Sequence, residues 1–111
     1  EAGWRGHVAH RCNSSDYLPV AGAAPDLPAF NTQYDALRHD RKRPINAACP
    51  VLPGLAVLTS LGSRGLSAAP LAAEVLADQL CGGPPAVPRY LQRAISPARF
   101  AERALKRGEP L

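Results

Sequence analysis

Arg11 stands between a weakly apolar stretch and the polar turn Asn13-Ser14-Ser15-Asp16. From such a place a guanidinium can project its planar fork and hold a carboxylate through two parallel hydrogen bonds. Tyr17 follows the turn and can donate a phenolic hydrogen bond beside it. The alternatives are a surface ion pair for Arg11 and simple packing for Tyr17. A second constellation is Ser60-Leu61-Gly62-Ser63-Arg64-Gly65, a turn of small residues set between a short apolar run and a long Ala/Leu segment. Strand, glycine turn, helix aims unpaired backbone N–H groups and the positive end of a helix dipole at one spot, where an anion or an electron-rich ring can sit. A packed unit without a ligand has the same pattern. A third is basic: Arg38-His39-Asp40-Arg41-Lys42-Arg43 in mid-chain, and six cations against Glu102 and Glu109 from Arg89 onward. With a net charge of +4, these runs suit a polyanion such as RNA, or else form solvated faces.

Other chemistries lack their residues. Cys12, Cys49 and Cys81 are odd in number and have no CxxC or CxxxH spacing, which argues against zinc and against a disulfide framework. Unpaired buried thiols fit a reducing cytosol, so buried cysteines and a cytoplasmic location are expected. His7 and His10 would face opposite sides of a strand, and His39 stands apart, so no metal is expected. Ser63 lies in LGSRG rather than GxSxG, and no GxGxxG opens the chain. No apolar run reaches membrane-spanning length, and the first residues lack signal-peptide character.

The elements that must position these residues follow from pattern. Of the 111 residues 46% are hydrophobic but only 5% aromatic, with twelve prolines and nine glycines. Such a chain makes a thin core and reads as one piece of a larger domain. Strands are expected at about His7 to Cys12, in the segment Tyr17 to Gly22 with Pro19 confining it to an edge, and as a buried run Gly54 to Thr59. Asp26 or Asn31 can cap a helix over Ala29 to His39, whose Phe30, Tyr34 and Leu37 make one apolar stripe. Arg41 to Leu52 is a loop. A long helix runs from about Leu66 to Leu80 and stops at Gly82-Gly83-Pro84-Pro85. Pro88 to Ile95 is a short helix, and a second starts at Ser96-Pro97 and ends at Gly108. The expected class is an α+β fragment: two or three short strands, a long helix and a terminal helix pair.

Two stretches together carry a family resemblance. LPGLAVLTSLGSRGLSAAPLAAEVLADQLCGGPPAVPRYLQRAISPARFAERALKRG and RCNSSDYLPVAGAAPD with ALRHD resemble the C-terminal part of bacterial bifunctional enzymes that build 5-methylaminomethyl-2-thiouridine in tRNA. The resembling half is an FAD-dependent oxidoreductase of the D-amino-acid oxidase and glycine oxidase superfamily. The resemblance spans about residues 6 to 108. It implies a part of an FAD-binding α/β fold, with residues 1–52 on the substrate side, 53–83 as the flavin-edge strand-turn-helix and 84–111 as closing helices.

It also implies chemistry. In the family, the flavin oxidises the C–N bond of a carboxymethylaminomethyl group on the wobble uridine, releasing glyoxylate. A separate methyltransferase domain then uses S-adenosylmethionine. The superfamily pattern R-P-x-x-x-D-x-x-P-x-x-G, whose arginine binds the amino-acid carboxylate, falls on Arg11 to Gly22 with Cys12 in place of proline. Arg11 and Tyr17 are thus expected on the substrate, and Gly62, Ser63, Arg64, Gly65 and Leu66 against the isoalloxazine ring. Leu61 stands where the family turn often has histidine. Arg41, Lys42 and Arg43 are expected on tRNA, and no residue is expected to be catalytic in itself. The remaining partners are FAD, tRNA and the remainder of the parent enzyme, without which the chain is expected to be inactive and to hold FAD weakly. A fragment of a generic glycine or D-amino-acid oxidase, a basic RNA-binding module without catalysis, and a ligand-free remnant are the competing readings.

Overall fold

The computed structural model describes residues 3–111, so residues 1–2 of the expected first segment lie outside it. Its architecture is α+β: a two-stranded antiparallel sheet and four helices, as expected. Strand β1 (Val20–Pro25) is the buried one, built of Val20, Gly22 and alanines small enough to let other elements lie directly on it. Strand β2 (Val51–Thr59) pairs with it from Val20↔Thr59 to Ala23↔Ala56, and again at Pro25↔Val51. The unmatched stretch of β2 between those pairings contains Pro53, which has no N–H to donate, and Gly54.

Three strand expectations need correcting, and β2 begins at Val51, inside the stretch 41–52 expected as a loop. Gly54 to Thr59 is a strand, but not a buried one: β2 is exposed along most of its length, because β1 alone pairs with it and α2 (Gly65–Cys81) lies mainly over β1. No strand forms at His7 to Cys12. Residues 3–12 are irregular and exposed, and the first pairing is the single bridge Asn13↔Leu61. That segment has no neighbouring strand along its length, and its one backbone–backbone bond among the described residues is the Cys12 carbonyl accepting from the Gly62 N–H. The second expected strand exists but starts three residues late, at Val20, because a side-chain-held turn occupies Ser14 to Leu18.

Helix α1 (Leu27–Gln33) starts where Asp26 Oδ1 accepts from the Ala29 N–H at 3.2 Å, so the first of the two proposed caps is the one used. It gives way to a 3₁₀ turn at Asp35–Arg38 rather than continuing to His39. The apolar stripe survives this change: Phe30 and Leu37 are buried with Ala101 and Leu105 of α4 (Ala98–Arg107). Tyr34 stacks on Phe30 with ring centroids 4.3 Å apart. That cluster is one part of the core; Val20, Ala21 and Ala24 of β1 and Ala72 and Val75 of α2 are also buried.

Helix α2 continues through Pro70 and closes at Gly82. Helix α3 (Arg89–Ile95) follows the Pro/Gly linker. Ser96 has extended backbone, and its Oγ accepts from the Ala98 N–H at 3.3 Å, so it caps α4 as expected although Pro97 directly precedes the first helical residue. Pro97 also explains Gly22. A Cβ at Gly22, whose φ is +148°, would come within 3.1 Å of Pro97 Cδ, so glycine admits the start of α4 onto β1.

The molecule is drawn out, at 65 × 34 × 23 Å with a radius of gyration of 17.0 Å, where a compact domain of this length has roughly 13 Å. Its accessible surface is 8132 Å², against roughly 5,900 Å² for a compact monomer of this mass. Leu66, Leu71 and Leu80 of α2 and Leu52 and Leu55 of β2 are exposed. With so small a core, single core residues carry much of the stability. Leu105, which is fully buried, predicts that Leu105→Ala lowers unfolding free energy by about 3 kcal/mol in a denaturant titration.

Candidate functional site

The candidate site is organised by one carboxylate. Asp16 lies in the polar turn and receives hydrogen bonds from both ends of the chain. Arg99 donates to it twice, Nε to Oδ2 at 2.8 Å and Nη2 to Oδ1 at 2.9 Å, and Arg103 Nη1 donates to Oδ2 at 2.6 Å. The Ser14 hydroxyl (2.8 Å) and the Leu18 N–H (3.1 Å) donate to Oδ1. Arg99 is only 5% exposed, and its remaining donors reach the Ser96 and Leu18 carbonyls. Every polar atom of this buried cation is thereby satisfied. Arg99 first, assisted by Ser14 and Arg103, holds the Asp16 carboxyl well below the usual carboxylate range, against the opposing effect of burial.

From this anchor the segment turns towards the glycine turn. The Gly62 N–H donates to the Cys12 carbonyl at 3.0 Å, and Asn13 bridges to Leu61. Gly62 has φ +62°, which glycine adopts without strain, and a Cβ there would come within 2.2 Å of Asn13 Oδ1, so a larger residue would displace the Asn13 side chain. Contrary to expectation the cysteines are not buried: Cys12, Cys49 and Cys81 are free and exposed, because each lies on the arm, the loop or a helix end rather than in the core. Cys12 Sγ lies 3.7 Å from Ser60 Oγ and 3.9 Å from Thr59 Oγ1. These hydroxyls, Ser60 foremost, lower the thiol's pKa. Tyr17 (φ 60°) and Ser60 (φ 58°) both have left-handed backbone, a costly conformation for side-chain-bearing residues, and they flank this junction.

The expected site residues divide into two groups. Arg11 is exposed on the arm one residue before Cys12, and its side chain makes no hydrogen bond among the described residues. Tyr17 is exposed on the turn. Gly62–Arg64 form a 3₁₀ turn, Gly65 and Leu66 begin α2, and Leu66 is fully exposed. Backbone contacts thus bring the arm that bears Arg11 next to the glycine turn. Helix α2 has no side-chain cap and no acid in its first turn, so no carboxylate of its own neutralises its positive end. Arg41, Lys42 and Arg43 lie elsewhere, at a cleft between the 41–49 loop and helices α3 and α4.

The clamp itself was not anticipated. Asp16 and Arg99 are 83 residues apart, and no local pattern links them. The available signal was the spacing of Arg99 and Arg103, four residues apart and therefore on one face of a helix, combined with a carboxylate in a turn that has no nearby cation after Arg11. Among the described residues no three His, Cys, Asp or Glu side chains gather as a metal site, and no helix is long and apolar enough to cross a membrane.

Fold and site define a small α+β unit that presents a clamped polar arm beside a glycine turn at the start of a long helix. The chain is similar in sequence to many known proteins. Over 104 residues, 94% of its length, the chain is 48% identical to the tRNA 5-methylaminomethyl-2-thiouridine biosynthesis bifunctional protein MnmC of Pseudomonas entomophila. It is 45% identical over 105 residues to the protein of the same name from Pseudomonas putida strain GB-1, and 47% identical over 104 residues to that of Shewanella amazonensis. The chain spans 16% of the length of each of these relatives. No protein-family model matches it.

Asp16 gives a test with a defined sign. Its folded pKa lies below the unfolded value of about 4. Its stabilisation is therefore complete above that value and fades as pH falls below it. Asp16→Asn is expected to cost about 3 kcal/mol at neutral pH and to flatten the acid limb of stability against pH, both read from urea titrations between pH 7 and pH 2.

Proposed function

We propose that the chain is the C-terminal part of the FAD-dependent oxidoreductase half of an MnmC-type protein, acting on a carboxymethylaminomethyl group at the wobble uridine of tRNA. The observation that carries this reading is the bond between the Cys12 carbonyl and the Gly62 N–H. The Arg11 arm and the glycine turn are the two segments that the superfamily resemblance places around substrate and flavin. They are fifty residues apart in sequence, and they meet here. The similarity to MnmC proteins over 94% of the chain supports the same assignment. In it, residues 1–52 are the substrate side, 53–83 the flavin edge and 84–111 the closing helices.

The residues present fit the edge of a flavin ring. Gly62 and Gly65 allow close backbone approach, and the uncapped start of α2 offers N–H groups and positive potential to an electron-rich edge, with Ser63, Arg64 and Leu66 around it. FAD would supply the two-electron oxidation of the C–N bond. The contribution of this chain is binding and orientation. Arg11 holds the substrate carboxylate through a bidentate pair, Tyr17 donates a hydrogen bond beside it, and the Asp16 clamp fixes the turn that bears Tyr17 and follows Arg11. Arg41, Lys42 and Arg43 engage tRNA phosphates. Methyl transfer from S-adenosylmethionine belongs to a part of the MnmC-type protein outside this chain, and the protein works in the cytoplasm.

A generic amino-acid oxidase would share the Arg11 arm but has no use for tRNA. In the complete protein, Arg11→Ala is expected to raise KM for the carboxymethylated tRNA by more than tenfold, with the bound-flavin absorbance unchanged. Unchanged kinetics would remove Arg11 from the substrate. The 111-residue chain by itself is expected to show no turnover and weak FAD retention in a flavin fluorescence titration.

A further inference from the structure

The two basic runs, separate in sequence, share one cleft. It has a volume of about 940 Å³. Arg41, Lys42 and Arg43 line it from the irregular loop, Arg89 and Arg93 from α3, and Lys106 from α4. Glu102 is its one carboxylate, and it is already paired with Lys106 at 2.6 Å and Arg93 at 3.9 Å. Arg41, Lys42, Arg43 and Arg89 make no ion pair among the described residues. The basic run holds one acid of its own: Asp40 Oδ1 accepts from the Lys42 backbone N–H at 3.0 Å and shapes the turn that presents the three cations, leaving the run a net positive charge.

The other cations of the two runs have structural partners. Arg38 bonds the Glu109 carbonyl, Asn31 and Asp35, while Arg99 is held by Asp16. The floor stays neutral. Burial raises the pKa of Tyr34 and of Cys49, so neither adds negative charge at physiological pH. The Tyr34 hydroxyl donates to the Ala47 carbonyl at 3.0 Å and ties the loop to the cleft floor.

We infer that this cleft is a groove for an RNA phosphodiester backbone, lined by Arg89 and Arg93 of α3 together with Arg41, Lys42 and Arg43 of the loop. Several unpaired cations drawn from two elements around an uncharged floor match a chain of phosphates better than a single anion, whose charge two or three donors satisfy. The contacts are sequence-independent and set the register of the RNA; they do not read bases. This rests on the tRNA-directed reading above but has its own readout. The oxidase assignment is judged by flavin and turnover, the groove by RNA affinity and its salt dependence.

The test is fluorescence anisotropy of the full chain with a labelled, unmodified anticodon stem-loop RNA at about 50 and about 200 mM salt. Arg89→Glu/Arg93→Glu is expected to weaken binding at low salt at least tenfold and to lower the slope of log affinity against log salt by about 1.5. Lys42→Glu/Arg43→Glu, in an exposed loop where folding is not at stake, should do the same. Arg5→Glu/Arg107→Glu changes the net charge equally away from the cleft and should have less than a threefold effect. Equal losses in all three double variants would reduce the effect to net charge and overturn the groove. So would an absence of RNA binding by the unmodified chain, which would leave the cleft to an acidic protein surface, and so would saturable binding of ADP without binding of RNA.

Discussion

The rest of the structure depends on a single desolvated charge pair. Arg99 is almost wholly removed from water, a state an unpaired cation does not tolerate, and Asp16 is what makes it tolerable. Because the guanidinium fork also takes the Ser96 and Leu18 carbonyls, the pair fixes directions as well as charge. Helix α4 is thereby locked both to the polar turn and to its own first residues. The core cluster sits on the same helix one turn further along, through Ala101 and Leu105. The interaction that orients the arm therefore also orients the core, and the two cannot be varied independently.

Much of this fold was legible in the sequence, for a consistent reason. Elements specified by local chemistry are present: the Asp26 cap, the Ser96 cap, the stops at Gly82 and Gly108, and the stripe Phe30, Tyr34, Leu37. What went wrong was non-local. A strand at residues 7–12 needs a partner that its own residues do not specify, and the burial of β2 depends on what covers it. The glycine turn and the Arg11 arm could each be singled out by composition, but their meeting could not. It is made by backbone groups of Cys12 and Gly62, and backbone groups are the same in every residue. The Asp16 clamp was hidden for a related reason: either partner alone resembles an ordinary surface charge.

Charge is distributed with the same economy. Thirteen cations against nine acids suggest a uniformly basic surface, yet much of the positive charge has a defined structural partner. Arg38 ties the 3₁₀ turn to the Glu109 carbonyl, Arg99 and Arg103 hold Asp16, and Arg107 pairs with Glu109. Of the cations left without a carboxylate among the described residues, Arg41, Lys42, Arg43 and Arg89 gather at one cleft, while Arg5, Arg11 and Arg64 lie elsewhere. Net charge alone would have spread the expected electrostatic footprint over both basic runs, whereas the pairing pattern narrows it to a few side chains on two elements.

The span of the clamp also sets an order of events. Asp16 meets Arg99 across 83 residues and Arg103 across 87, so closing that loop carries a large entropic cost before any bond repays it. During synthesis the arm emerges long before α4 does. The α1 cap and the β1–β2 pairing can form in the meantime, but the turn at Asp16 has no cation to hold it until Arg99 is made. The polar arm, first in sequence, is therefore among the last parts of the molecule to acquire its native shape.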